Sequence, residues 1–104
     1  MDIGRNRRWS KAIRNRDRNK CIHCGEEEAI CAAHLVGRGD HITRYILENG
    51  ITACKMLHDR IDLVGEDIKI ETLKFYKLDK IYYNLLKISK GQAKLEDYGY
   101  TIIE

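Results

Sequence analysis

A small α+β domain is the fold class this sequence predicts, on three observations. Short apolar runs are separated by turn signals: Gly37-Arg38-Gly39-Asp40, Asn49-Gly50 and Leu63-Val64-Gly65. From about Ile70 the apolar positions change to helical spacing. No internal repeat, low-complexity tract or linker divides the 104 residues. The chain 1–104 therefore reads as one domain, at the lower end of sizes that bury an adequate core.

In chain order, residues 5–18 are expected to be helical, with Trp9 and Ile13 four apart on one packing face. A cysteine knuckle follows at 20–25, then a short strand near 30–35 that ends around His34. The Gly-rich loop 37–40 carries Arg38, and residues 43–47 fit no single pattern. Asn49-Gly50 is a turn signal, Ile51–Ala53 a second strand, and 55–63 a helix closed by Leu63-Val64-Gly65. Beyond it, Leu78, Ile81, Leu85 and Ile88 form one stripe with Phe75, Tyr82 and Leu86 beside it, which reads most simply as one packing helix in an extension of about 70–104. Its Lys74, Lys77, Lys80, Lys87, Lys90 and Lys94 leave a basic face, either solvated or available to DNA or a partner helix. The tail 95–104 either adds an edge strand or packs across the core.

Mean hydropathy is -0.51 and 34% of residues are charged. No apolar run approaches the ~18 residues of a membrane span. The first 20 residues lack the apolar core of a secretion signal, so a cytoplasmic location is expected. The net charge of +3 conceals an asymmetry, because residues 1–20 hold eight Lys or Arg against two Asp. Arg14, Arg16 and Arg18, together with Arg5, Arg7, Arg8, Lys11 and Lys20, are suited to contact phosphates without reading bases. Trp9 either anchors this segment or stacks on a base.

Cys21 and Cys24 are two residues apart, a spacing at which both sulfurs reach one tetrahedral ion about 2.3 Å from each. A redox pair has the same spacing, but should open a helix after an apolar strand, and no such strand precedes Arg18-Asn19-Lys20. Four cysteines in an unsecreted chain also favour metal over disulfides. Cys54 offers a third thiol. The residue three further on is Leu57, which leaves water, Cys31 or His23 as the fourth donor. Cys31 is otherwise read as a small buried apolar residue, and His23 and His41 as exposed loop residues.

The ordered set Cys21-x-x-Cys24-Gly25, Cys31-Ala-Ala-His34-Leu35, Arg38, Thr43-Arg44-Tyr45, Asn49-x-x-x-x-Cys54 and Leu57-His58-Asp59 resembles the phage-type HNH endonuclease family over about residues 14–62. The resemblance implies a ββα-metal core with a zinc knuckle, flanked here by an N-terminal basic helix and a C-terminal helix. It implies DNA as substrate, His34 as the general base, Asn49 as the residue that pins the hairpin loop or orients His34, and His58 as a ligand of a catalytic Mg²⁺, Mn²⁺ or Ni²⁺. Zn²⁺ would be held by Cys21, Cys24 and Cys54. Two positions depart from the family pattern: Leu57 in place of the last cysteine, and Ala33 where a second metal ligand often precedes the base. Asp62, four residues after His58 and so on the same helical face, is the replacement ligand, with Asp59 and His41 as weaker candidates. Arg38 or Arg44 would steady the phosphate. A domain this small has little surface for groove readout, so a second copy or a phage or host protein partner is expected to direct it. The alternatives are a non-catalytic zinc-knuckle module that binds nucleic acid or protein and, from a third class, a redox protein using Cys21 and Cys24.

Overall fold

The computed structural model describes residues 2–104. Ile30–His34 (β1) and Gly50–Cys54 (β2) pair antiparallel, in a register running from Ile30 opposite Cys54 to His34 opposite Gly50. β2 is buried at every position, which is why its Ile51–Cys54 run lacks polar alternation. The register sets Cys54 at one end of the sheet and His34 at the other. Around the sheet pack α1 (Ile3–Arg16), α2 (Lys55–Asp62), α3 (Glu66–Phe75) and α4 (Asp79–Ser89), giving a small α+β domain.

α1 starts where the Asp2 carboxylate accepts the Arg5 N–H at 3.0 Å, an N-cap. It lays Trp9 and Ile13 across the sheet at Gly50. A Cβ there would come within 2.5 Å of the Trp9 ring and 2.6 Å of Ile13, so only glycine lets the helix approach. At its C-terminus the Asp17 carboxylate accepts from the Arg16 guanidinium and, at 2.9 Å, from the Thr52 N–H, tying α1 to β2. Arg16 also donates to the carbonyls of Leu47 and Gly50. These bonds hold the helix on the sheet, because the C-terminus of α1 abuts the strand edge.

The Asn49-Gly50 turn signal is also resolved differently. Leu47–Asn49 form a single 3-10 turn, and Gly50 is the first residue of β2. The C-terminal apolar stripe is two helices rather than one. α3 ends in a Schellman closure, with Leu78 N–H donating to Leu73 C=O at 2.8 Å and Lys77 left-handed at φ 58°. The chain therefore turns before Leu78, and Phe75 is left 75% exposed. Apolar spacing carries no mark of this break because a lysine occupies the left-handed position.

The tail adds no strand to the two-stranded sheet; its Leu95, Tyr98, Tyr100, Ile102 and Ile103 pack against the core clusters. Ile102 bridges Ile46, and the N–H groups of Leu47 and Ile103 donate to the Thr101 and Tyr45 carbonyls. Arg5 and Arg8 donate to the carbonyls of Ile103 and Glu104, both at 2.7 Å, so α1 and the tail clasp each other. The main core includes Leu35, Ile46, Ile51, Leu57, Leu73 and Leu85, while Trp9, Ile13 and Tyr45 form a smaller cluster under α1. Among the described residues, no helix is long and apolar enough to cross a membrane.

Burial alone would raise the Asp17 carboxyl. The bonds from Arg16 and the Thr52 N–H outweigh it and hold the group below its ordinary value. A lowered folded-state value means stability that is present above the unfolded pKa of about 3.9 and lost as pH falls through the folded one. Asp17→Ala is expected to cost about 1–3 kcal/mol in urea denaturation at pH 7. Its difference from wild type should shrink as pH falls below about 4.

Candidate active site

A cavity of about 320 Å³ opens between α1, β1, the Arg38 loop and α2. Its walls carry His34 from the end of β1, Arg38 from the loop, His58 and Asp62 from α2, and Asn6, Trp9 and Ser10 from α1. Four of the residues singled out in the sequence are thus brought together across 29 positions. A larger, mainly apolar cavity of about 560 Å³ lies beside Met56, Leu57, Phe75 and Tyr76, and holds none of them.

His34 is held on two sides. Its Nε2 lies 3.0 Å from the Arg44 carbonyl, which only accepts, so Nε2 carries the hydrogen and Nδ1 is left as an acceptor. The Trp9 indole stacks on the imidazole, with centroids 4.0 Å apart and planes within 10°. Burial pushes the ring's pKa down to about 4; the Arg44 carbonyl opposes that shift, while the positive charge of Arg38 adds to it. At neutral pH the group is a neutral imidazole with a free Nδ1, the form a general base needs.

Asn49 is fully buried and pins the loop. Its Oδ1 accepts the Val36 N–H at 2.7 Å, and its Nδ2 donates to the carbonyls of Val36 at 3.0 Å and Thr43 at 3.1 Å. Of the two tasks expected of Asn49, this is the first. The His34 ring is oriented instead by the backbone next to Thr43. The Arg44 carbonyl holds the His34 ring, while its guanidinium lies over the Tyr45 ring.

On α2, His58 Nε2 and Asp62 Oδ2 stand 3.8 Å apart, one helical turn removed, as the spacing predicts. That separation is too long for a hydrogen bond and leaves room for one ion at about 2 Å from each. Asp59 instead pairs with Lys55 at 2.9 Å, and His41 lies exposed in the loop. Ala33 is buried in the core and offers no donor. Arg18 lies at the left-handed turn that ends α1 and is exposed, while Arg14 has a buried Nε without a hydrogen-bond partner.

At the far end of the sheet the sulfurs of Cys21, Cys24 and Cys54 lie within 4.8 Å of one another. A tetrahedral ion with ~2.3 Å bonds needs sulfurs ~3.8 Å apart, so these three could hold one metal ion such as zinc. Gly25, at φ 75°, makes the knuckle turn, and Ile22 N–H donates to Thr52 C=O, fixing the knuckle to β2. Burial opposes ionisation of Cys21. The backbone N–H groups of Cys24, Cys54 and His23 more than compensate and lower its pKa, as suits a thiolate ligand. Neither Cys21 nor Cys24 opens a helix. Cys31 lies outside this cluster and, contrary to expectation, is exposed and borders the His34 cavity, because it sits beyond the cover of the core. Leu57 is buried in the main core. His23 is exposed as expected and contacts the Tyr76 hydroxyl.

The sequence reading missed the part that Trp9, Asn6 and Ser10 play as one wall of the cavity. The available signal was a lone tryptophan inside a strongly basic helix. No protein-family model matches the chain, and neither the curated proteins nor the solved structures yielded a similar one.

Two outcomes are expected. One equivalent of Co²⁺ added to reduced protein gives thiolate charge-transfer absorption and raises the melting temperature, and Cys54→Ser weakens both; no absorption would rule out the cluster as a metal site. In ring NMR of the free protein, His34 stays neutral until about pH 4. Because this value is depressed, the neutral ring's contribution to stability is complete above the unfolded pKa of about 6.5 and is lost as pH falls toward the folded one. A midpoint near 6.5 would contradict the buried, stacked geometry.

Proposed function

We propose that this chain is a metal-dependent HNH-type endonuclease that hydrolyses DNA phosphodiester bonds, with β1, β2 and α2 forming a ββα-metal core. The observation that carries the reading is the single cavity in which a neutral, hydrogen-bonded His34 faces the His58–Asp62 pair and Arg38. His34 Nδ1 takes a proton from water as that water attacks phosphorus. Arg38 offsets the charge of the phosphate oxygens. His58 and Asp62 are the donors for a divalent Mg²⁺, Mn²⁺ or Ni²⁺, whose chemistry when bound is Lewis-acid stabilisation of the phosphate and the leaving 3′ oxygen. Zn²⁺ at Cys21, Cys24 and Cys54 would be structural.

DNA is favoured by the charge left over once the internal bonds are made. Arg5, Arg8 and Arg16 are committed to backbone carbonyls, whereas Arg7, Lys11, Arg14 and Arg18 have no ion pair among the described residues. The competing reading, a non-catalytic zinc-knuckle module, draws on Ala33, whose buried methyl leaves α2 to supply both donors by itself.

Nicking of supercoiled plasmid separates the two. Metal-stripped protein resupplied with Mg²⁺, Mn²⁺ or Ni²⁺ is expected to cut, and His34→Ala and His58→Ala to lose at least about 10²-fold in rate. DNA binding that persists in chelator, with no cutting under any ion, would establish the binding module instead.

A further inference from the structure

The hydrogen bond from His34 Nε2 to the Arg44 carbonyl fixes one atom of the ring, but leaves the ring plane free to turn about the bond. Something else must set the plane, since a base misaligned by about 1 Å can lose about 10²-fold in rate. The indole of Trp9 covers one imidazole face at 4.0 Å and nearly parallel. Trp9 is itself immobilised: it is 1% exposed, and its Nε1–H donates to the Ile46 carbonyl at 2.8 Å. The carbonyls that hold the two rings, Arg44 and Ile46, are two residues apart in one loop segment. The absence of a side chain at Gly50, directly opposite His34 in the sheet, is what admits Trp9.

From this arrangement we infer that Trp9 is the positioning residue of the base: docking of α1 over Gly50 sets the plane of the His34 ring, and with it the direction of the Nδ1 that the Arg44 carbonyl leaves free. The inference rests on His34 being the general base proposed above. α1 is thereby part of the catalytic apparatus as well as a carrier of positive charge. Its docking depends in turn on the tail, through the Arg5 bond to Ile103 and the Arg8 bond to Glu104.

Three variants separate positioning from mere packing. Trp9→Phe keeps a flat ring and loses the N–H; Trp9→Leu keeps apolar bulk and loses the flat face; Gly50→Ala displaces the helix and leaves both rings intact. The readouts are the separate kcat and KM of plasmid nicking, with the His34 tautomer by ¹⁵N NMR as the check that the Arg44 bond is kept. Wild type and Trp9→Phe should show one Nε2–H tautomer and similar kcat. Folded Trp9→Leu and Gly50→Ala should keep the Nε2–H tautomer and show a kcat lower by about 10–10²-fold at little-changed KM. A folded Trp9→Leu with the wild-type kcat would overturn the inference. Should the variants fail to fold, the unmodified protein decides: stacking requires upfield ring-current shifts of the His34 ring protons, and ordinary shifts would refute it. A wild type that cuts nothing refutes the nuclease reading, and the NMR results still judge the positioning on their own.

Discussion

The buried carboxamide of Asn49 closes the long connection between β1 and β2, and the candidate site depends on that closure. Its three hydrogen bonds gather Val36 and Thr43 around the start of β2. Two ends of the loop are thereby brought to one point, and the Arg44 carbonyl is presented to His34. A buried amide left without such partners costs about 1–3 kcal/mol for each unsatisfied group, so the loop conformation is strongly specified by one side chain. Removing it would loosen the carbonyl that fixes the tautomer of His34.

The two-strand register distributes the chemistry. Pairing His34 with Gly50 and Ile30 with Cys54 places the candidate base at one end of the sheet and the cysteine cluster at the other. α2 starts immediately after Cys54 and returns His58 and Asp62 to the cavity that His34 lines. One short helix therefore links a cysteine cluster that could hold a metal ion with the His58–Asp62 pair in the cavity.

Much of this was legible in the sequence, for reasons that differ between elements. The strand ending at His34, the buried run after Gly50 and the helix from Lys55 follow from local patterning, and the i, i+4 spacing of His58 and Asp62 predicts their meeting. The break between α3 and α4 was hidden because Lys77, rather than glycine, takes the left-handed position. The role of Arg16 depended on where α1 would meet the strand edge, a tertiary fact that no local window contains. The stack of Trp9 on His34 joins residues 25 positions apart and needs the empty space at Gly50, so neither residue alone announces it.

The most direct measurement is a crystal structure of the His34→Ala protein with a DNA duplex and Mn²⁺. The account predicts a backbone phosphate in the cavity between residue 34 and α2, with anomalous density for manganese bridging His58 and Asp62. DNA lying on another surface, with no manganese at that pair, would contradict it.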